Sequence, residues 1–293
     1  MSKIMRVVLV LSLALVLSVA LFGCAGEEAA QGELTQEELE QIVADAAIAT
    51  EGVDTTRFDM NMLMVMDMIA EGEPVRMTIG VDGTGAVDNT GREMRMIMDM
   101  DMDIPELGEQ EMATDVYVVG GWMYMKLDVP VIGEQWMKMA LTEEIWQSQS
   151  QVDPQIELLV SATEVRLLGS ENIRGVPCYV VEIVPEMGIL GNLLSQQQGM
   201  TGMEGIDLGQ LNLADLFKEM SVKVWIAEDS HFLAKSEINV LIEVSAGDVG
   251  GAEGDFEEIT LDMTVGMELY DYNQGVSIEL PEAALQAVEM PGL

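Results

Sequence analysis

Residues 58–68 read FDMNMLMVMDM and residues 94–104 read MRMIMDMDMDI, so methionine twice occupies every second position. A repeat of two is the period of an extended strand, whose successive side chains point to opposite faces; a helix would scatter the same residues around its circumference. Phe58, Met60, Met62, Met64, Met66 and Met68 therefore share one face, and Asp59, Asn61, Leu63, Val65 and Asp67 the other. After a Glu-Gly-Glu-Pro turn, VRMTIGVDGTGAV sets Val75, Met77, Ile79 and Val81 against Arg76, Thr78 and Asp82. Asp88-Asn-Thr-Gly91 then turns the chain into the second methionine run, whose other face carries Glu93, Arg95, Ile97, Asp99, Asp101 and Asp103. Three long strands joined by tight turns predict an antiparallel meander with one face built largely of methionine.

Alternation returns at 112–119, 122–127, 136–139, 163–171, 176–184, 221–228, 231–245, 256–272 and 276–280, which predicts strands there. Thr35-Gln-Glu-Glu38 has the form of a capping box, and Leu39, Ile42, Val43, Ala46 and Ala47 follow at helical spacing, predicting a helix over 36–49. Residues 142–162 read as one or two short helices, with Pro154 near the start of the second. Residues 186–215 read as a mobile loop with short helical pieces, 247–255 as a flexible loop, and a short helix closes the chain. No linker interrupts the strands from Arg57 to Leu280, so residues 35–293 are expected to form a single domain. A twisted sheet of about ten or more strands must curl. The fold class predicted is mainly β (α+β), a large curved antiparallel sheet with a few helices packed on one face.

The start of the chain has a separate task. Lys3 and Arg6 precede an apolar run from Val7 to Phe22, followed by Gly23 and Cys24, the layout of a secretory signal over residues 1–23. Leu21-Phe-Gly-Cys24 resembles a bacterial lipobox, which makes Cys24 the expected lipid anchor and 24–34, small and acidic, a flexible tether. An ordinary cleaved signal or an uncleaved apolar anchor would use the same run, but a cysteine where the lipobox needs it, with Gly23 and Gly26 beside it, favours lipidation. Acyl chains contribute about 0.8 kcal/mol per buried CH₂, enough to hold a multiply acylated chain at a membrane. With Cys24 acylated, Cys178 is the remaining thiol, and in the apolar run VPCYVVEI it reads as a small buried hydrophobe.

The formal net charge of −39 repels nucleic acid and anionic headgroups, so no nucleic-acid partner is expected. A basic protein partner would be attracted to it, although a solvated acidic surface accounts for the charge equally well. A monomer is expected.

Methionine is an unusual choice for a strand, because β-branched and aromatic residues suit strands better. Its three rotatable bonds and polarizable sulfur fill irregular space and adapt to a changing partner. Core packing explains any single methionine; a whole face of them points to a deformable apolar lining. Copper is the competitor, since thioethers suit Cu(I) and Met-x-Met spacing recurs. Methionines two apart on one strand stand about 6.6 Å apart, so an ion would need sulfur from neighbouring strands. Copper therefore ranks below an apolar ligand. Asp99, Asp101 and Asp103 lack the loop geometry of an EF-hand, and no metal or cofactor is expected. His231 falls at a hairpin turn, none of the common nucleophile, zinc-protease or nucleotide motifs occurs, and an enzyme is not expected.

The order of elements resembles the LolA-like superfamily of bacterial lipoproteins, the one that includes LppX and LprG. The resemblance is carried by the anchored tether, the opening helix over Thr35–Thr50, Phe58-Asp-Met-Asn-Met, and Val116-Tyr-Val-Val-Gly-Gly-Trp-Met-Tyr-Met-Lys126. Gln135-Trp-Met-Lys138, Val224-Trp-Ile-Ala-Glu-Asp229 and the ending from Asp271 to Pro281 continue it. It implies a half-barrel whose concave side is covered by helices, with an apolar cavity for acyl chains between them. On that reading Met60, Met62, Met64, Met66, Met77, Ile79, Met94, Met96, Met98 and Met100 line the site and 186–218 forms a lid. The same face filled as a plain core would instead make a ligand-free envelope interaction module. Trp122, Tyr124 and Trp136 suit a cavity mouth, with either strand face open to them.

Overall fold

A computed structural model describes residues 34–70, 73–105, 108–129, 133–148, 153–185, 216–245 and 257–290. The expected leader, Cys24, most of the tether and the expected loops at 186–215 and 247–255 lie outside the described residues. The chain divides into two compact units, Met1–Glu38 and Leu39–Leu293. In the first, the Thr35 backbone N–H donates to the Glu38 carboxylate at 2.8 Å and the Glu38 N–H donates back to the Thr35 hydroxyl at 3.3 Å. This reciprocal pairing satisfies two of the donors that a helix start leaves open, and it opens α1 at Gln36–Glu51. The backbone hydrogen bond from Thr35 also holds the Glu38 carboxyl below its ordinary value.

The second unit is one open twelve-stranded sheet that curls into a half-barrel. Its strands are β1 (Thr55–Ala70), β2 (Glu73–Asp88), β3 (Glu93–Ile104), β4 (Gly108–Val119), β5 (Trp122–Val129) and β6 (Gly133–Ala140), then β7 (Ala162–Ile173), β8 (Val176–Pro185), β9 (Phe217–Ala227), β10 (Leu233–Ser245), β11 (Glu258–Tyr270) and the short β12 (Val288–Glu289). In space the order is β12-β6-β5-β4-β3-β2-β1-β11-β10-β9-β8-β7. Two meanders, β1–β6 and β7–β11, are thus sewn together by the antiparallel pairing of β1 with β11, from Arg57 opposite Tyr270 to Ile69 opposite Glu258.

Two short helices, α2 (Glu143–Ser148) and α3 (Asp153–Val160), join the meanders, with Pro154 in the first turn of α3, where its missing N–H costs nothing. Helix α3 packs on β8 through its fully buried Leu158 and Leu159. The Thr50 hydroxyl of α1 accepts from the Leu233 backbone N–H at 3.3 Å, which ties that helix to the start of β10. The helices therefore lie over the second meander, whose interior is aliphatic and β-branched: Val181, Ile183, Val222, Val224, Ile242 and Val244 are all buried.

One expected strand is absent. Residues 276–280 alternate but pair with no strand; a 3₁₀ turn at Glu282–Gln286 follows, and β12 joins β6 in parallel at Met137 and Lys138. The alternation of Val276, Ile278 and Leu280 reports Ile278 packing into the core, not ladder pairing.

Candidate ligand face and its acidic reverse

Direct cross-strand partners share a face of the sheet, so the register shows where each methionine points. Met60 lies opposite Met267, Met64 opposite Met263 and Met66 opposite Met77. Met100 lies opposite Met112, and Met123 and Met125 lie opposite Met139 and Met137. Followed from strand to strand, every methionine of the described strands falls on one and the same face. The ten positions expected to line a site are all there. Met68, Met102, Met112, Met123, Met125, Met137, Met139, Met220, Met263 and Met267 join them, and the Met-x-Met pairs at 123/125 and 137/139 were the signal for four of these.

Burial divides this face. At the end nearest α1, Phe58, Met94, Met96, Val116 and Val118 are closed off as core. Met64 and Met66 are also buried, in a cluster with Leu216, Val240, Ile242, Leu261 and Met263. Between them Met60, Met62, Met77, Ile79, Met98 and Met100 are half-buried. Two glycines shape this middle. The Phe58 ring lies over Gly85, its Cζ 2.2 Å from where a Cβ would stand, and Met60 and Met98 lean over Gly83 from either side. Glycine is required at 85, where the Phe58 ring and the Arg95 carbonyl already fill the space, and at 83 any larger residue must displace the Met60 side chain.

The reverse face is acidic. Asp82 stands opposite Asp99, Asp101 opposite Glu111 and Asp103 opposite Glu109, all exposed. Like charges directly opposed destabilise a sheet, and exposure to water is what makes the strip tolerable. One strong ion cluster interrupts it. Arg174, in the β7–β8 turn at φ 51°, bonds Asp59 and, through Nε at 2.8 Å, Glu268, while its guanidinium lies 3.9 Å over the Tyr270 ring. The Tyr270 hydroxyl donates to Asp59 at 3.0 Å; burial, then that bond, pushes its phenol up.

Trp122, Tyr124 and Trp136 lie on this reverse face, away from the methionines, which settles the side that the sequence left open. Trp136 packs at 6.0 Å from Tyr117, and the Lys138 ammonium lies 4.8 Å over Trp122. Cys178 is fully buried on the same side; its thiol donates to the Val176 carbonyl at 3.3 Å, and burial pushes its pKa up, the opposite of what a reactive thiolate needs. His231, in the β9–β10 turn, has its Nδ1 3.6 Å from a carboxylate oxygen of Asp45 in α1. Among the described residues no group of His, Cys, Asp and Glu is gathered to hold a metal ion, and no helix is long and apolar enough to cross a membrane.

Residues 38–163 match the family of unknown function DUF6612. Among solved structures the chain is similar to LprF from Mycobacterium bovis, at 13% identity over 84% of this chain and 97% of that one, with a TM-score of 0.39. It is similar to the lipoprotein LppX of Mycobacterium tuberculosis at 13% identity over 84% and 100% of the two chains, TM-score 0.39. A putative outer membrane lipoprotein-sorting protein domain from Vibrio parahaemolyticus aligns at 11% identity over 83% and 95%, TM-score 0.24. None of the curated proteins matches the chain.

Proposed function

We propose that the chain is an extracytoplasmic lipoprotein, held at a membrane by lipidated Cys24 and the tether 24–34, whose methionine face binds lipid or another apolar ligand. The observation that carries this reading is the half-buried middle of that face, where Met60, Met62, Met77, Ile79, Met98 and Met100 form one contiguous apolar surface. Contiguous apolar area left open on a soluble domain marks a binding site more often than a packing fault. Methionine suits a ligand with many conformers, because its side chain repacks at little cost. The role is binding, with no chemistry asked of the protein.

The test uses residues 30–293, produced in the periplasm of a lipid-containing host, with native mass spectra followed by organic extraction. A stoichiometric adduct of lipid mass is expected. Met62→Glu/Met98→Glu, placed where the side chains are half-exposed so that the fold survives, is expected to lose it. A clean apo mass, with no uptake of added fatty acid by the folded protein, overturns the reading.

The acidic strip of β2–β4 favours a second reading, an envelope module that docks a basic protein partner. Under that reading, crosslinking in the envelope captures a partner whose yield falls with Asp99→Asn/Asp101→Asn/Asp103→Asn and with added salt, while Met62→Glu/Met98→Glu has no effect.

A further inference from the structure

We infer that the glycine gap at Gly83 is a thioether site for a soft monovalent cation, Cu(I) or its surrogate Ag(I). Gly83 is the direct partner of Met60 on β1 and of Met98 on β3, on the methionine face. A Cβ at Gly83 would stand 2.7 Å from Met60 Cγ, 3.2 Å from Met60 Sδ and 3.4 Å from Met98 Cγ. Both side chains therefore reach across β2 into space that any other residue would fill. Strands β1 and β3 are two strand spacings apart, about 9.6 Å, too far for their sulfurs to share an ion unless the strand between them lacks a side chain. Glycine at 83 removes that obstacle.

The surroundings supply further sulfur. Met62 and Met100 flank Val81 one step along the same two strands, and Met60 is opposite Met267 on β11. Met60 and Met98 are half-buried, reachable by an ion yet partly stripped of water, and Met267 closes one side at 4% exposure. Thioether sulfur is soft and neutral; it selects Cu(I) over Zn²⁺, Mg²⁺ or Ca²⁺, for which it is a poor ligand. The buried Cys178 and the distant His231 play no part, so sulfur from three strands would supply all the ligands. A net charge of −39 raises the local concentration of any cation near the chain.

An apolar lining uses methionine for its bulk and flexibility and asks nothing of the sulfur as a ligand. A soft-ion site needs the sulfur. The test is a titration of the full chain, purified in non-ionic detergent, with Ag(I) and with Cu(I) held by a competing chelator, read by native mass spectrometry. One tight first equivalent is expected. It is expected to vanish in Met60→Leu/Met98→Leu and in Gly83→Val, which keeps every sulfur but fills the gap. It is expected to survive in Cys178→Ala and in Met123→Leu/Met139→Leu, a methionine pair on adjacent strands without a glycine gap. No tight equivalent in the native chain, or one retained by Met60→Leu/Met98→Leu, overturns the inference. Should Gly83→Val fail to fold, the double leucine variant decides alone. Fatty-acid uptake by the native chain, measured in parallel, separates the two readings: a tight ion without any uptake removes only the ligand proposal, and uptake without a tight ion removes only this inference.

Discussion

The two meanders share one sheet and one inner face, yet they are built from different side chains. In β7–β11 that face is mostly Val, Ile and Leu, with Met220, Met263 and Met267 among them, and it is buried, with α3 packed on β8 and α1 tied to the start of β10 through Thr50. In β1–β6 it is methionine, closed at one end and half-open in the middle. β-branched residues have few rotamers and hold a strand in a single packing; methionine has many and commits to none. The difference divides the labour of the sheet, with one meander specifying the fold and the other leaving an adaptable surface.

The largest effect expected from this division is in stability. Ile183→Ala, at a fully buried position of β8, should cost about 2–5 kcal/mol in urea denaturation. Met100→Ala, half-buried on β3, should cost less than half of that, and equal costs would break the comparison. Next, Met60, Met62, Met98 and Met100 replaced together by leucine should change stability by under about 1.5 kcal/mol per site. If the surface is adaptable because of methionine, the quadruple variant should also accept a narrower range of acyl-chain lengths.

The smallest effect is at the end of the aliphatic meander. The Tyr272 hydroxyl donates to the Leu233 carbonyl, its ring stacks on Phe232 at 4.4 Å, and burial pushes its phenol well above the ordinary value. A raised folded pKa means that this contribution is whole below the unfolded value of about 10 and is lost as pH climbs past it. Tyr272→Phe should therefore cost about 1 kcal/mol at neutral pH and flatten the alkaline decline in stability above pH ~10. Denaturation midpoints measured on both sides of that pH check the sign.

The methionine half was the easier one to read from sequence. Period two at 58–68 and 94–104 has one structural meaning, and the capping box at Thr35–Glu38 and the split helices around Pro154 follow local rules. The pairing of β1 with β11 had no such signal, because residues some two hundred positions apart carry no mark of their register. The face taken by Trp122, Tyr124 and Trp136 was hidden for a different reason. Strands β5 and β6 carry large side chains on both sides, methionine on one and Trp122, Tyr124 and Trp136 among lysines and acids on the other, so alternation cannot say which side is in. The glycine gap was invisible as well: GVDGTGAV reads as a weak strand until its neighbours show Met60, Met98 and Phe58 lying over it.

An open sheet has two ends, and each is an invitation for another chain to add a strand. Here each end carries a deterrent. On β7 the register slips between Ala162 and Glu164 and again between Leu167 and Gly169, with Gly169 at φ 148°, so the outer hydrogen-bonding row is bent away from a straight template. At the far end the tail lays β12 along β6, and the Met290 N–H donates to the Lys138 carbonyl at 2.9 Å, occupying part of that row from within. A chain with much apolar surface in the middle of its sheet thus keeps its rims unattractive to its own copies, and fibril-like stacking is resisted by the backbone before side-chain chemistry is called upon.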